Sequence, residues 1–492
     1  VLVYKIASRD IKSNIYIPKY YDPDLNAEIH SLSKTHDLLY LGDLIDRNIV
    51  HVQTGHEIGK MAYGTGNIPF VRTSDISNWE IKTIPKQGIS EEIYKQYADK
   101  EDVQVGDILL VRDGTYLIGT NCIVTQLDLP MVFQSHILKI RVLKKSIIDP
   151  FLLFLSFNCS LVQRQIRNMQ FTADIIDTLG SRYRELVIPI PRDNEVRTML
   201  HSEIVTAVER RIKLKAAIKQ MPLLIEQVLE KDSISPIDEY LQKPVEEILE
   251  EMVQDTTTLE AGAFSTFMIN SNEIKNQIFL PKYYDPSIRN TLAKLSANCD
   301  ICAIQDLVDN GALELSTGDE IGKMAYGTGE IPFVRTSDFS NWEIKTDVKQ
   351  GVSEDIYQQY AERENVEAKD ILLVRDGTYL IGTSCMITDA DTKMLFCGGL
   401  IKIRATAAAI FDPYLLLALL NSYIVKRQIR TKQFTRDVID TLGQRLKEVY
   451  LPIPKNETLR KDISDHMKEI VEDRIVARDR FQTLSEKIIS IM

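Results

Sequence analysis

Two stretches of this chain concentrate side chains whose types could do chemistry. In the first, GHEIGKMAYGTGNIPFVRTSDISNWEIKT from Gly55 to Thr83, these are Lys60, Tyr63, Thr65, Arg72, Thr73, Ser74 and Asp75. The second, DILLVRDGTYLIGT from Asp107 to Thr120, supplies Arg112, Asp113, Thr115 and Tyr116. An arginine fork can read guanine through two hydrogen bonds, and hydroxyls and lysine hold phosphates. An acid can accept from cytosine N4 or orient a neighbouring arginine. Together they form a set suited to reading duplex DNA. The same residues also suit structural ion pairs beside turns, Arg72 with Asp75 and Arg112 with Asp113. A third stretch, Gln170-Phe171-Thr172, offers an amide for adenine in Gln170, with the hydroxyl of Thr172 beside it, or else a helix cap.

Reactive groups are harder to find. Gly64-Thr65-Gly66 lacks both the third glycine of a dinucleotide fingerprint and the GK[ST] of a phosphate loop, and there is no HExxH, no GxSxG and no adenine-methyltransferase signature. Asp75, Glu80 and Lys82 resemble the D…ExK layout of a metal-dependent nuclease, but Asp75 and Glu80 are closely spaced and alternating strand residues produce ExK by chance. Six cysteines are scattered, and the lone CxxC at Cys299 and Cys302 lacks the second pair that a zinc site needs. The expectation is a non-catalytic protein with no metal or cofactor, kept reduced in the cytoplasm.

Every one of these stretches occurs twice. Gly55 to Thr83 returns as Gly318 to Thr346 with 26 matches in 29, Asp107 to Thr120 returns unchanged as Asp370 to Thr383, and PKYYDP at Pro18 returns at Pro281, all at an offset of 263. The register holds from about Ile11 past Met221. The chain is therefore a tandem duplication of a whole domain with a helical tail, far too long a period for a solenoid. The copies of the candidate residues are Lys323, Tyr326, Thr328, Arg335, Thr336, Ser337 and Asp338, then Arg375, Asp376, Thr378 and Tyr379, then Gln433 and Thr435. The copies differ at Gln134-Ser135-His136 against Cys397-Gly398-Gly399, where unequal reading would arise unless this is neutral drift in a buried strand.

Those residues need a scaffold. Ile108 to Val111 and Ile137 to Val142 read as strands, Asp113-Gly114 reads as a turn and Phe151 to Arg167 reads as helix. The domain is thus mixed α+β. The tail has another rhythm: Leu200, Ile204, Ala207, Arg211, Leu214, Ile218, Met221, Ile225 and Val228 are spaced alternately by 4 and 3, and Ile463 to Ile491 repeat that register. Such a seam predicts two paired helices, each a rod of about 45 to 53 Å for about 30 to 35 residues. The plainer reading is that the helices pack on their own domains. Arg211 and Arg474 break the seam at equivalent places, with Ile212 and Ile475 positioned to take over, and Pro222 predicts a kink or frame change.

Length and charge fit this layout. A chain of 492 residues has room for about three domains. The longest apolar run, Tyr414 to Leu420, is seven residues, far below the roughly 20 that cross a bilayer, so no membrane association is expected. Val1 opens the chain without a charged leader or a small-residue cleavage site, which points away from secretion. Of the net charge of -11, a balance of -9 lies between Glu226 and Glu260, leaving -2 elsewhere, which neither demands nor forbids a local basic groove. The acidic stretch reads as a solvated connector, or as a surface for a basic partner.

The order of IPFVRTSDISNWEI, VRDGTYLIGT and VIPIP before a long helix resembles the DNA-specificity subunits of type I restriction-modification systems, over nearly the full chain. The two copies here are closer to each other than is usual in that family. The resemblance implies an α+β fold of two homologous mixed α/β recognition domains, 1–191 and 261–454. Helical spacers, 192–260 and 455–492, would join them as long paired antiparallel coiled-coil helices with pseudo-twofold symmetry. It implies double-stranded DNA as ligand, two adenine-methyltransferase subunits docked on the helices and a restriction/translocase subunit in the complex. Antiparallel pairing would present similar contact residues to DNA in opposite polarity, so the target would be bipartite and near-palindromic. Two alternatives stay open: the recognition portion of a fused restriction-methylation enzyme, and a coiled-coil scaffold that touches no nucleic acid.

Overall fold

The computed structural model describes residues 4–12, 15–171, 177–254, 266–346, 348–407, 411–435 and 439–490. Two compact units emerge. One holds Val1–Ile212 together with Ile475–Met492, and the other holds Lys213–Arg474. Both divisions fall inside long helices, Asn194–Lys231 and Glu457–Ser490. The serial boundary expected at 260/261 lies outside the described residues.

In the first unit the central element is an antiparallel sheet in the order Val50–Thr54, Ile137–Val142, Ile108–Val111, Asn121–Ile123. The strand Ile108–Val111 is buried along its whole length because its two faces serve different cores. Ile108 and Leu110 point into the core shared with the helices, while Leu109 and Val111 point into a second core with Val71, Ile76, Ile81 and Phe133. Beyond that second core lies a smaller sheet. Its central strand Ile68–Val71 pairs in parallel with Val132–Phe133 and antiparallel with Gln87–Ile89. A further ladder, His36–Tyr40 with Val187–Pro191, closes the domain before the long helix starts.

The helical stretch expected over Phe151 to Arg167 is two helices, Pro150–Asn158 and Ser160–Met169. Asp149 caps the first, accepting from the Phe151 and Leu152 N–H groups at 2.9 and 3.0 Å, with Pro150 at the first helical position. Cys159 turns extended, and the second helix begins against Glu486, whose carboxylate accepts from the Ser160 N–H at 2.8 Å and its hydroxyl at 2.7 Å.

Within the first unit the long helices run antiparallel. Glu203 meets Arg480 at 2.7 Å, and Lys487 lies 3.3 Å from Met199 Sδ. The seam also belongs to the domain core: Leu200, Ile204, Phe481, Leu484 and Ile488 pack with Phe154 and Leu161, and Phe481 stacks on Trp79 at 4.1 Å between centroids. Pairing and packing on the domain are thus the same event. Arg211 stays in its seam position, buried, with Nε 3.3 Å from Glu80 Oε2. Secondary structure continues through Pro222.

The second unit repeats these elements. Its main sheet runs Leu313–Thr317, Leu400–Ala405, Ile371–Val374, Ser384–Met386, and its smaller one centres on Ile331–Val334. Asp412 and Pro413 start the helix Pro413–Asn421 as Asp149 and Pro150 start its counterpart. Arg474 is buried against Glu343. Among the described residues no helix is long and apolar enough to cross a membrane, and no group of three or more His, Cys, Asp and Glu is placed to hold a metal ion.

Candidate nucleic-acid interface

The loop leading into the strand Ile68–Val71 carries the first group of residues. Lys60 is exposed on the single turn Lys60–Ala62. Behind it the loop is fastened: Tyr63 stacks on Phe70 at 5.8 Å, and the Thr65 hydroxyl donates to Ala62 O at 2.8 Å and accepts from Ser90 N–H at 3.0 Å. The second unit repeats this, with Lys323 exposed, Tyr326 on Phe333 at 5.6 Å and Thr328 bonded to Ala325 O and Ser353 N–H. Tyr63, Thr65, Tyr326 and Thr328 therefore shape the loop.

After the strand comes the turn Arg72 to Asp75. Asp75 is completely buried and accepts backbone N–H groups of Arg72 at 3.0 Å and Lys86 at 3.1 Å. Burial pushes its carboxyl above the ordinary range, against the pull of those bonds. Asp338 is equally buried, bonded to Arg335 N–H at 3.0 Å and the Ser337 hydroxyl at 3.2 Å. Burial withdraws Asp75 and Asp338 from the groups a duplex can touch; they hold the turn. Glu80 and Lys82, the rest of the nuclease-like layout, are buried as well, with Glu80 turned to Arg211. Thr73, Ser74 and Thr336 remain half-buried beside the turn.

Arg72 is different. It is half-buried, and among the described residues its guanidinium makes no hydrogen bond, its Nε being buried without one. Arg335 repeats this, with Nε unbonded and 3.8 Å from Asp338 Oδ2. An unbonded buried guanidinium nitrogen costs free energy, and both copies bear that cost.

The second block places Arg112 at the end of the strand Ile108–Val111. Its fork closes on Asp113 with contacts of 3.0 and 2.9 Å, and Arg375 closes on Asp376 with two of 2.9 Å. In the first unit Asp113 also holds His136 Nδ1 at 2.8 Å and the Thr178 hydroxyl; burial pushes its carboxyl up, but the bonds from Arg112, Thr178 and His136 together outweigh it and keep the carboxyl below the usual range. His136 Nε2 lies 3.8 Å from Glu57, which also accepts from Ser135. The segment Gln134–His136 thereby ties the first block to the second. In the second unit the backbone does the same, Arg375 N–H bonding Gly399 O at 2.9 Å, but the side chains are gone. A Cβ on Gly399 would meet Thr336 Cγ2 at 3.0 Å and Asp376 Cβ at 3.7 Å, which places the two blocks side by side there too. Asp376 is accordingly more open than Asp113, 27% against 8% of its side chain exposed. Sequence reading missed Glu57, Ser135, His136 and Thr178 as partners; the Gln134-Ser135-His136 divergence was the available signal.

Thr115, Tyr116, Thr378 and Tyr379 are half-buried around this site. Gln170 and Gln433 are buried, their amides donating to the carbonyls of Thr115 and Thr378. They brace the Arg112 and Arg375 loops from behind and are not open to adenine. Thr435 is half-buried, and Thr172 lies outside the described residues.

Residues 47–221 match the family described as the type I restriction modification DNA specificity domain. That span covers both blocks, the main sheet and most of the first long helix. The duplicate follows at the fixed offset of 263. No curated protein matches the chain. Among solved structures it is similar to the S subunit of a type I restriction-modification system from M. genitalium, at 13% identity over 93% of this chain and 96% of that one, with a TM-score of 0.36. It is also similar to the HsdS subunit from Thermoanaerobacter tengcongensis, at 13% identity over 92% and 95%, with a TM-score of 0.26.

Proposed function

We propose that this chain is the non-catalytic DNA-specificity subunit of a type I restriction-modification system. Each recognition domain, 1–191 and 261–454, reads one half of a bipartite, near-palindromic site, and the helices within 192–260 and 455–492 serve as spacers. Two adenine-methyltransferase subunits dock on those helices, and a restriction/translocase subunit completes the assembly. The reading rests on the family match of residues 47–221, and the observation that carries it is the half-buried arginine left without a hydrogen bond in both copies, Arg72 and Arg335. Each arginine sits beside a fork already closed on its own aspartate, Arg112 on Asp113 and Arg375 on Asp376. In this reading Arg72 and Arg335 supply bidentate contacts to guanine, Lys60 and Lys323 hold phosphates, and the Arg112 and Arg375 forks present a fixed edge to the groove. The halves are alike because the side chains offered are alike.

Binding followed by sequencing of the bound DNA, with methyltransferase subunits present, tests this. Arg72→Ala is expected to cost about 1 to 3 kcal/mol of discrimination at one base of one half-site. Lys60→Ala weakens all sequences alike and lowers the salt slope by about one. Equal loss on specific and random DNA would remove Arg72 from the reading set, and two unrelated half-sites would overturn the near-palindrome. No binding to any DNA would favour the scaffold.

A further inference from the structure

Met61 is a large apolar side chain held out from the fold. It is 92% exposed on the turn Lys60–Ala62, and Met324 in the other copy is also 92% exposed. A single exposed apolar residue is ordinary. Two further facts make this pair otherwise.

The first is where the copies have kept their identity. From Asp24 to Thr54 against Ser287 to Thr317 the match has fallen to 7 of 31, yet from Gly55 to Thr83 it stands at 26 of 29. Burial cannot explain retention at Lys60, Met61, Lys323 and Met324, since all four are exposed. Nor does the fold need their side chains, because among the described residues neither lysine ammonium has a hydrogen bond or ion pair.

The second is how the tip is held. Gly64 takes φ +73°, Gly327 takes φ +71°, and each donates its N–H to a carbonyl of the neighbouring strand, Gly88 at 2.8 Å and Gly351 at 2.9 Å. With Tyr63 on Phe70 and Thr65 bonded on both sides, the base of the loop is fixed while the side chains of Lys60 and Met61 at its tip are exposed. A tip fixed in this way loses little conformational freedom on binding.

Resting on the DNA-reading function above, we propose that Met61 and Met324 are specificity residues, each contacting the 5-methyl group of a thymine in its half-site while Lys60 or Lys323 holds the adjoining phosphate. In the major groove that methyl is the apolar group that base edges offer, and a cation beside the apolar tip suits the phosphates flanking it.

The test uses the full chain with its methyltransferase subunits and the site found by sequencing bound DNA. Met61→Ala is expected to weaken binding to that site about 10-fold, the lower end of what one mismatched base pair costs, with binding to random DNA unchanged. Replacing thymine by uracil at one position of the corresponding half-site reproduces the loss in the unaltered protein and adds nothing in Met61→Ala. Met324→Ala behaves likewise for the other half. Equal loss on random DNA, the absence of any uracil-sensitive thymine, or weakened retention of the methyltransferase subunits would each overturn the proposal. If Met61→Ala is silent while Arg72→Ala still loses discrimination, this contact fails and the DNA-reading function stands. If neither protein binds DNA, both fail.

Discussion

Duplicated residues that have drifted apart expose what each position has to do. Glu101 and Glu364 are equivalent carboxylates, each accepting a buried backbone N–H, from Phe133 at 2.8 Å and Phe396 at 2.9 Å. Glu101 also has His56 Nδ1 at 3.0 Å; the second copy puts Asp319 at that position. Burial first, with the nearby Asp319 charge adding to it, pushes the Glu364 carboxyl up to about 8 from an ordinary 4.5. The folded second unit therefore holds a proton that the unfolded chain releases. That stabilisation is complete below the ordinary value and is lost as pH rises toward the folded one. Calorimetry should show the midpoint of the second unit falling between about pH 5 and about pH 8, and Asp319→His, which restores the first copy's partner, should flatten that fall. An unchanged slope would count against the account. At this scale residue type was legible in the sequence and surroundings were not. Arg72 and Arg112 were recognisable by type, but nothing in their spacing distinguishes a fork closed on its own aspartate from one left open. Asp75, Gln170 and their copies looked like contacts because burial is a property of the folded chain.

Among the elements, the seam of the long helices is the most instructive. Its spacing of 4 and 3 announces an amphipathic helix, yet the same stripe serves a coiled coil or a domain face. In the first unit it serves both, because Phe481 packs on Trp79 and Phe154 as well as lying among the seam residues Leu200 and Ile204. The arginine that seemed to interrupt the pattern is the point where the helix takes hold of the loop, Arg211 on Glu80 and Arg474 on Glu343. Phe481→Ala should cost the first unit about 3 to 5 kcal/mol, the price of an aromatic cavity, and leave the second unit's unfolding transition in place. Denaturant melts that shifted both transitions equally would refute this. The helical reading of Phe151 to Arg167 holds, but the division of that stretch into two helices was not legible, for a related reason. Its break at Cys159 is set by Glu486, which lies more than three hundred residues further along and gives no local signal.

For the molecule as a whole, duplication was legible from sequence alone, and with it the repetition of every element. The grouping of those elements was not. Domains taken in serial order end where composition changes, at about 191 and 454, whereas compactness gathers Ile475–Met492 with Val1–Ile212. Contacts link the two extremes directly: His36 Nε2 lies 2.8 Å from Ile488 O, and Ser160 meets Glu486. Deleting 475–490 should therefore leave the early domain open to protease while 213–474 stays resistant, which limited proteolysis with mass mapping can check. Resistance of residues 15–171 in the shortened chain would contradict it.

That closure also sets a timetable. Synthesis runs from the N-terminal to the C-terminal side, so residues 15–171 must wait, part of their apolar face uncovered, until residues 475–490 have emerged. The portion that begins to be made later, 213–474, has all its pieces in hand sooner. Of the two units, the one begun first is the one completed last.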